Sequence, residues 1–265
     1  MDQTKLTLHI ITQEDPFFLP VFFSAFLPEL DYDRFTITGI DITRPLGSRS
    51  FKKLIDRVAH FYGPVDFVKM GMKYARLKAA GLLLPRFVWR GTVRRQAARF
   101  GIPVRDVRNV NAPAYVSDLK SRSLDLLVSV AASEIFKDDL LSVPRLDAIN
   151  IHTGKLPHYR GMMPVFRQLA AGESSIGVTV HTMTPKIDKG EIVGYGEFPV
   201  GSARSLDAVI RRGKAEGARL MLEVLERYRA GTTTKREMEL SQARYFSFPT
   251  PEDVKALRRK GFKLV

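Results

Sequence analysis

The stretch Leu124–Val130, which reads LDLLVSV, restricts the fold of this chain more than any other segment. A near-continuous apolar run of this length suits a strand that is buried on both faces, and such strands occur in parallel sheets covered by helices. Hydrophobic periodicity predicts further strands at residues 6–12, 35–42, 101–104, 148–152, 175–183 and 191–200. It also predicts helices at residues 16–27, 114–120, 140–143, 165–171 and 205–229.

This alternation of strands and helices predicts an α/β fold around a mostly parallel central sheet flanked by helices. In such a sheet, ligands bind at the carboxyl ends of the strands. Residues 153–163 are rich in glycine and proline and are predicted to form a loop. The residues after Gly231 are mostly polar and are expected to form a short C-terminal tail.

The composition is that of a folded chain. Of the 265 residues, 45% are hydrophobic, which is enough for one large domain or one domain with a small appendage. The chain has no cysteine, so disulfides, thiolate metal sites and a cysteine nucleophile are excluded, and a cytoplasmic location is expected. The N-terminus lacks the pattern of a signal peptide. The apolar run at residues 79–89 is about half the ~20 residues that a membrane-spanning helix needs.

Positive charge is concentrated in one part of the chain. The net charge is +14, and residues 44–108 hold 16 Lys or Arg against three Asp. Two or three helices are expected there, one of them with Phe51, Leu54, Ile55 and Val58 on one face. The charges have two explanations that stay open: solvated helix faces, or a surface for a phosphate-bearing substrate, an anionic membrane or RNA.

The densest group of candidate functional residues is Asn150–Gly161, at the end of a predicted strand. Asn150 and His152 are two positions apart, so their side chains share one face of that strand. An amide and an imidazole side by side can donate two hydrogen bonds to an oxygen that gains negative charge. Asp188, in a predicted loop between two strands, can orient an imidazole or take up a proton. This set contains no strong nucleophile and suits direct attack of a substrate amine on a carbonyl.

Plainer interpretations exist for each of these residues. An Asn-x-His pair on a strand is usually structural, and Asp-x-Gly is usually a turn. The spacings of His152, His158, His181 and Asp188 match no standard zinc pattern, so no metal is expected. The motifs that cradle the phosphates of ATP and NAD are absent from the sequence, as is the G-x-S-x-G motif of hydrolases.

Residues 148–193 resemble the formyltransferases that use N10-formyltetrahydrofolate. That family shows N-x-H-x-S-x-L-P-x-Y-R-G, then G-V-T-x-H-x-M, then D-x-G-x-I. The matching positions are Asn150, His152, Leu156, Pro157, Tyr159, Arg160, Gly161, Gly177, Val178, Thr179, His181, Met183, Asp188, Gly190 and Ile192. The resemblance implies a Rossmann-like formyltransferase fold, with a catalytic domain at residues 1–231 that contains residues 44–108 as a basic helical insertion. Residues 232–265 would be a C-terminal extension.

The resemblance also implies roles for individual residues. Asn150 and His152 would hold the formyl oxygen, and Asp188 would keep His152 charged or relay the proton that the amine loses. N10-formyltetrahydrofolate would be the co-substrate, without a metal. Its binding residues would be Ala132, Ser133, Glu134, Ile135, Phe136 and Ile187. Acceptor contacts would come from Thr153, Lys155, Tyr159 and Arg160, where Arg160 either reaches a substrate phosphate or locks the loop.

Two departures from the family pattern bear on the acceptor. Thr153-Gly154 replaces the common Pro-Ser or Gly-Ser after the histidine, and Lys155 replaces an apolar residue. In the methionyl-tRNA branch a C-terminal barrel follows the catalytic domain, and residues 232–265 are too few for one. We therefore expect no nucleic-acid partner and an amino sugar on a nucleotide, of the 4-amino-4,6-dideoxyhexose type, as acceptor.

Several alternatives stay open. They are a methionyl-tRNA formyltransferase-like enzyme without the barrel, a formyltetrahydrofolate hydrolase, and an enzyme that formylates a lipid-linked amino sugar. Peripheral membrane association through residues 44–108 and a homodimer are further possibilities.

Overall fold

A computed structural model describes residues 5–44, 51–83 and 91–265, with the side chains of residues 55–79 described in the second range. Seven strands form one sheet in the order β3-β2-β1-β4-β5-β7-β8. They are β1 (Leu6–Gln13), β2 (Phe35–Thr43), β3 (Val104–Asp106), β4 (Leu126–Val130), β5 (Asp147–His152), β7 (Ser175–Thr182) and β8 (Ile192–Pro199). β6 (Arg160–Gly161) and β9 (Tyr245–Phe246) form a separate pair.

The helices are α1 (Leu19–Phe26), α2 (Phe51–Leu83), α3 (Val93–Arg99), α4 (Pro113–Lys120), α5 (Asp138–Leu141), α6 (Pro164–Ala171), α7 (Leu206–Ala230) and α8 (Pro251–Arg259). Strands β1 to β5 pair in parallel, whereas β7 pairs antiparallel with both β5 and β8. The predicted α/β fold with a mostly parallel sheet is confirmed.

Strand β4 is buried on both faces, as its sequence predicts. All five of its residues are buried. Leu126 and Val128 belong to one apolar core and Leu127 to a second one, because successive side chains point to opposite faces of the sheet. After β1 the chain forms β2 and β3 on one side and then crosses to β4 on the other. The carboxyl ends of β1 and β4 therefore flank a topological switch point, where such sheets bind ligands.

Helix α7 matches its prediction and packs close to the sheet. Its first turn is capped by the hydroxyl of Ser205, and it ends at Gly231, which has a φ of 67°. A Cβ atom at Gly213 would lie 2.7 Å from Cγ2 of Thr153, so the missing side chain lets the helix approach β5 and the loop after it.

Helix α2 is two helices joined by a kink. Gly63 has φ 71° and ψ 170°, and Pro64 follows it, so regular hydrogen bonding is interrupted there. The side chains of Phe51 and Leu54, which belong to the predicted amphipathic face, lie outside the described residues. The helices and strands described within residues 44–108 are α2, α3 and β3.

Two predicted elements begin three residues later in the structure. The strand predicted at 101–104 is found at Val104–Asp106, because Gly101 leaves α3 with a φ of 66° and Pro103 lacks an N–H group. Helix α1 begins at Leu19 rather than at residue 16. Before it, the carboxylate of Asp15 accepts hydrogen bonds from the N–H groups of Phe17 and Phe18 and forms a turn.

The residues after Gly231, expected as a short polar tail, include a packed helix and a short strand. Helix α8 has a capping box formed by Thr250 and Asp253, and it buries Val254 and Leu257 in the main core. Strand β9 pairs in parallel with β6, which lies inside the predicted loop 153–163. Helix α8 is short and mostly polar, so its two buried apolar residues give only a weak helical pattern in the sequence.

None of the described helices is both long and apolar enough to cross a bilayer. The apolar run at 79–89 lies almost wholly outside the residues with described side chains.

The packing of α8 predicts that the C-terminal residues belong to the cooperative fold. Leu257 is fully buried, so Leu257→Ala should destabilise the protein by about 2–5 kcal/mol, the usual cost of such a cavity. Chemical denaturation would measure the change, with exposed Lys255→Ala as the matched control on the same helix. An unchanged free energy of unfolding would mean that residues 232–265 fold independently of the rest.

Candidate active site

A cleft of about 1400 Å³ opens beside the carboxyl ends of β1, β4 and β5. It lies at the topological switch point of the sheet, where ligands are expected. Asn150, His152 and Asp188 line the cleft, as do residues 132–136 and Ile187. The structure thus brings the predicted catalytic residues and the predicted folate-binding residues to one place.

The side chain of Asn150 is oriented by a histidine on the neighbouring strand. Asn150 on β5 lies opposite His181 on β7. Nδ1 of His181 donates to the carbonyl of Thr182 at 2.7 Å, so Nε2 of the neutral ring is an acceptor. The amide of Asn150 donates to that Nε2 at 3.1 Å. Among the described residues, Nε2 of His181 is the hydrogen-bond partner of the Asn150 NH2 group. The second N–H of that group is left for a ligand.

The tautomer of His152 is set by the loop that follows it. Nε2 donates to the carbonyl of Tyr159 at 2.7 Å, so Nδ1 carries the lone pair of the neutral ring. Nδ1 lies 3.6 Å from Oδ2 of Asp188. Burial lowers the pKa of His152, and the raising effects of the Asp188 carboxylate and the Tyr159 carbonyl do not offset it. The resting ring is therefore neutral, and Nδ1 can accept a proton.

Asp188 is a buried carboxylate held in an unusual backbone conformation. Its φ is 50°, and its Oδ2 accepts a hydrogen bond from the N–H of Gly161 at 2.8 Å. Its Oδ1 lies 3.5 Å from Nε2 of His181. Burial alone would raise the pKa of Asp188, but a positive charge on His152 or His181 and the hydrogen bond from the Gly161 N–H lower it well below its usual range. The ionised carboxylate can stabilise a positive charge on His152.

Arg160 and Gly161 hold the segment that carries Asp188. The guanidinium of Arg160 donates to the carbonyl of Ile187 at 2.7 Å and to that of Asp188 at 3.0 Å. Gly161 has a φ of 93°, and a Cβ atom there would lie 2.3 Å from the carbonyl oxygen of Phe246. Arg160 was expected either to reach a substrate phosphate or to lock the loop. Its hydrogen bonds fit the second role, and its side chain does not line the cleft.

The Thr153-Gly154 departure fits the packing around His152. Thr153 is buried, lines the cleft, and donates no side-chain hydrogen bond within the described residues. A Cβ atom at Gly154 would lie 2.6 Å from Nε2 of His152. Glycine therefore lets the loop turn close beside the imidazole.

Lys155 and Tyr159 point away from the cleft. The ammonium of Lys155 donates to Glu173 at 2.9 Å and lies 3.2 Å from Glu197. The hydroxyl of Tyr159 donates to Glu173 at 2.6 Å. These contacts fasten the loop to strand β8 and to the turn before β7. Neither side chain lines the cleft, so the structure does not bring these two predicted acceptor residues to the other site residues.

The predicted folate segment, Ala132–Phe136, follows β4 and lines one wall of the cleft. Ile135 in this segment is 54% exposed, and Ile187 is 41% exposed. Phe136 is buried in the second core and supports the segment from below. Ser133 hydrogen-bonds to Thr43, and Glu134 accepts from a backbone N–H. The wall thus presents exposed apolar side chains on an anchored segment.

Two partly buried residues of opposite charge that line the cleft are not predicted from the sequence. Asp15 follows β1, and Lys214 lies on α7 one turn after Ile210; all three line the cleft. Burial raises the pKa of Asp15 and lowers that of Lys214. Within the described residues no group hydrogen-bonds to the Lys214 ammonium, so it can bind a ligand. The feature of the sequence that indicates the position of Lys214 is its i, i+4 spacing from Ile210, which puts both residues on one face of the helix.

The short distance between His152 and Asp188 predicts electrostatic coupling. Asp188→Asn should lower the pKa of His152 further, because the charge that favours the imidazolium is lost while the amide oxygen can still accept from Gly161. Titration of the His152 ring protons by NMR measures this shift. The signals of exposed His158 are the internal control. If the His152 titration does not move, the two groups are not coupled.

Comparison with known proteins places this geometry in context. A family model described as formyl transferase matches residues 88–225, just over half of the chain. The methionyl-tRNA formyltransferase of Roseiflexus castenholzii is 32% identical over 161 residues, which cover 61% of this chain and 51% of the relative. That of Phenylobacterium zucineum is 33% identical over 143 residues, covering 54% and 45%. The chain spans about half the length of these curated relatives.

Solved structures match over most of the chain. A sugar N-formyltransferase from a Shewanella species has a TM-score of 0.58 at 16% identity and covers 96% of this chain and 87% of its own. A glycinamide ribonucleotide transformylase from Symbiobacterium toebii has a TM-score of 0.59 at 15% identity, covering 90% and 96%. An N-formyltransferase from Helicobacter canadensis, solved with folinic acid and dTDP-3-aminofucose, has a TM-score of 0.56 at 16% identity, covering 91% and 71%. The shared fold and the match of the family model over just over half of the sequence establish that this chain belongs to the formyl transferase family.

Proposed function

We propose that the protein transfers a formyl group from N10-formyltetrahydrofolate to a primary amine, with Asn150, His152 and Asp188 as the catalytic residues. The observation that carries this proposal is the arrangement of a free amide N–H, a neutral imidazole and a buried carboxylate in one cleft. Nδ1 of His152 lies 3.6 Å from Asp188, and the Asn150 amide is oriented by His181. N10-formyltetrahydrofolate supplies the formyl carbon that the amine attacks.

Each residue has a role that follows from its hydrogen bonds. Asn150 donates to the formyl oxygen as this oxygen gains negative charge. Nδ1 of His152 accepts the proton that the attacking amine loses, and Asp188 stabilises the imidazolium. His152 then gives this proton to the leaving nitrogen of the folate as the old C–N bond breaks. The new C–N bond completes the formamide, and His152 returns to its neutral form.

The folate is proposed to lie between the segment Ala132–Phe136 and Ile187. Exposed Ile135 and Ile187 offer apolar surface for a flat ring, which would offset the cost of their exposure. The anchoring of Ser133 and Glu134 supports a preformed wall. Within the described residues no group of three or more metal-ligating side chains is placed to hold an ion, and the proposed chemistry uses none.

For the acceptor we propose an amino sugar on a nucleotide, of the 4-amino-4,6-dideoxyhexose type. The likeness to sugar N-formyltransferases supports this choice. So does the presence of Arg57, Lys186 and Lys214 in the cleft, since cations suit the phosphates of such a substrate. A lipid-linked amino sugar is the second candidate, because Phe17, Phe67 and other apolar side chains line the rest of the cleft.

A panel of acceptors tests the proposal. The protein and N10-formyltetrahydrofolate would be mixed separately with nucleotide-linked amino sugars, a lipid-linked amino sugar and charged initiator tRNA, and the products analysed by mass spectrometry. We expect a formyl adduct with the nucleotide-linked sugars. Formylation of the tRNA alone would favour the activity of the curated relatives. Release of formate without any adduct would mean hydrolysis.

The same assay tests the role of Asn150. Asn150→Ala should lower the turnover number about 100- to 1000-fold, the scale of a lost oxyanion donor. Thermal unfolding and folate binding of the variant would show that the fold and the cleft are intact. A rate within a few-fold of the native one would remove Asn150 from the proposed mechanism.

Lys214 is proposed to bind an anionic group of the acceptor. Lys214→Met should raise the KM for the acceptor about tenfold or more, the loss of one charge-assisted hydrogen bond, and leave the KM for the folate unchanged. Arg219→Met, on the exposed face of the same helix, is the matched control. Equal changes in both KM values would instead indicate a general disturbance of the cleft.

A further inference from the structure

The second half of α2, residues 64–79, has apolar side chains on two opposite faces. Phe67, Met70, Tyr74 and Leu77 follow helical spacing and line the cleft. Val65, Val68 and Met72 have the spacing i, i+3, i+7 on the other side of the helix. They are 66%, 58% and 50% exposed. A helix that is apolar on both sides is normally buried on both sides, yet here one side faces solvent.

Cations surround this exposed apolar face. Residues 64–79 contain four Lys or Arg and a single carboxylate, Asp66. Lys69 and Arg76 are exposed and lie beside Val65 and Met72 on the helical wheel. Asp66 is occupied by ion pairs with Lys69 and Arg258. Lys73 pairs with Asp207, whereas Arg76 has no ion pair among the described residues. The face therefore combines aliphatic side chains with an excess of positive charge.

We propose that this face of α2 docks onto an anionic lipid bilayer. Val65, Val68 and Met72 would enter the boundary between headgroups and acyl chains, while Lys69 and Arg76 would contact anionic headgroups. Aliphatic side chains next to cations suit this partner better than single-stranded RNA, whose binding surfaces combine cations with aromatic residues that stack on the bases. Docking is independent of the identity of the acceptor.

The geometry gives this docking a consequence for catalysis. The cleft is lined by the opposite face of the same helix, so its mouth would lie about one helix diameter, ~10 Å, from the lipid surface. An amine carried on a lipid would then reach the cleft without leaving the bilayer. This consequence rests on the proposed function, and the lipid-linked arm of the acceptor panel tests it separately.

Vesicle flotation tests the docking itself. The protein is expected to float with phosphatidylcholine vesicles that contain phosphatidylglycerol, and the bound fraction should fall as salt is added. The double variant Val68→Ser and Met72→Ser should lower the partition coefficient at least tenfold. The double variant Lys69→Glu and Arg76→Glu should do the same on anionic vesicles only. Leu240→Ser and Lys120→Glu, at exposed positions on other elements, are the matched controls.

A second measurement does not depend on loss of binding. Because the chain has no cysteine, Val68→Cys and Leu240→Cys can each be labelled with one environment-sensitive fluorophore. Anionic vesicles should shift the emission of the label at position 68 to the blue and leave that at position 240 unchanged. Equal shifts at both positions, or no flotation of the native protein, would overturn the proposal. So would a dimer in solution that buries position 68, because a second copy would then cover the face.

Discussion

The hydrogen bond from the N–H of Gly161 to the carboxylate of Asp188 is the contact on which the candidate site depends. Asp188 has a left-handed backbone, which costs roughly 1 kcal/mol or more for a residue with a side chain. The 2.8 Å bond from Gly161 and the two carbonyls held by Arg160 offset this cost. Without these hydrogen bonds the conformation that points the carboxylate at the two histidines would be less stable. The Arg-Gly and Asp-x-Gly motifs are therefore two halves of one structural unit.

The C-terminal residues extend this unit. Gly161 belongs to β6, whose partner β9 lies beyond the long helix α7. Phe246 approaches Gly161 closely, and α8 packs in the main core. Residues 232–265 therefore help to hold Gly161, and through it Asp188, in position. A change that loosens α8 would thus disturb the position of Asp188 as well as the stability of the fold. These residues stabilise the site from outside the cleft, although their composition resembles that of a surface tail.

The sequence predicted those features that local periodicity encodes. Asn150 and His152 share a face because a strand has a period of two, and β4 is buried because its residues are apolar without alternation. Contacts between distant segments could not be predicted in this way. The resemblance implies an acceptor contact for Lys155, but its partner Glu173 comes from a turn that no local pattern connects to it. Asp15 and Lys214 are even farther apart in the chain, and the topology of the sheet alone brings them together.

The basic stretch also divides into two parts once its partners are known. Arg94 pairs with Asp106, and Arg105 pairs with Asp41, a buried carboxylate whose pKa burial would raise but His9 and Arg105 lower to about 2. These two arginines stabilise the edge of the sheet through their ion pairs. They are therefore not available to bind a separate molecule. In α2, by contrast, Arg76 and Lys78 are exposed and have no ion pair among the described residues. Lys78 lines the cleft, whereas Arg76 lies beside the exposed apolar side chains of the helix, so α2 carries charges that are available on both of its faces.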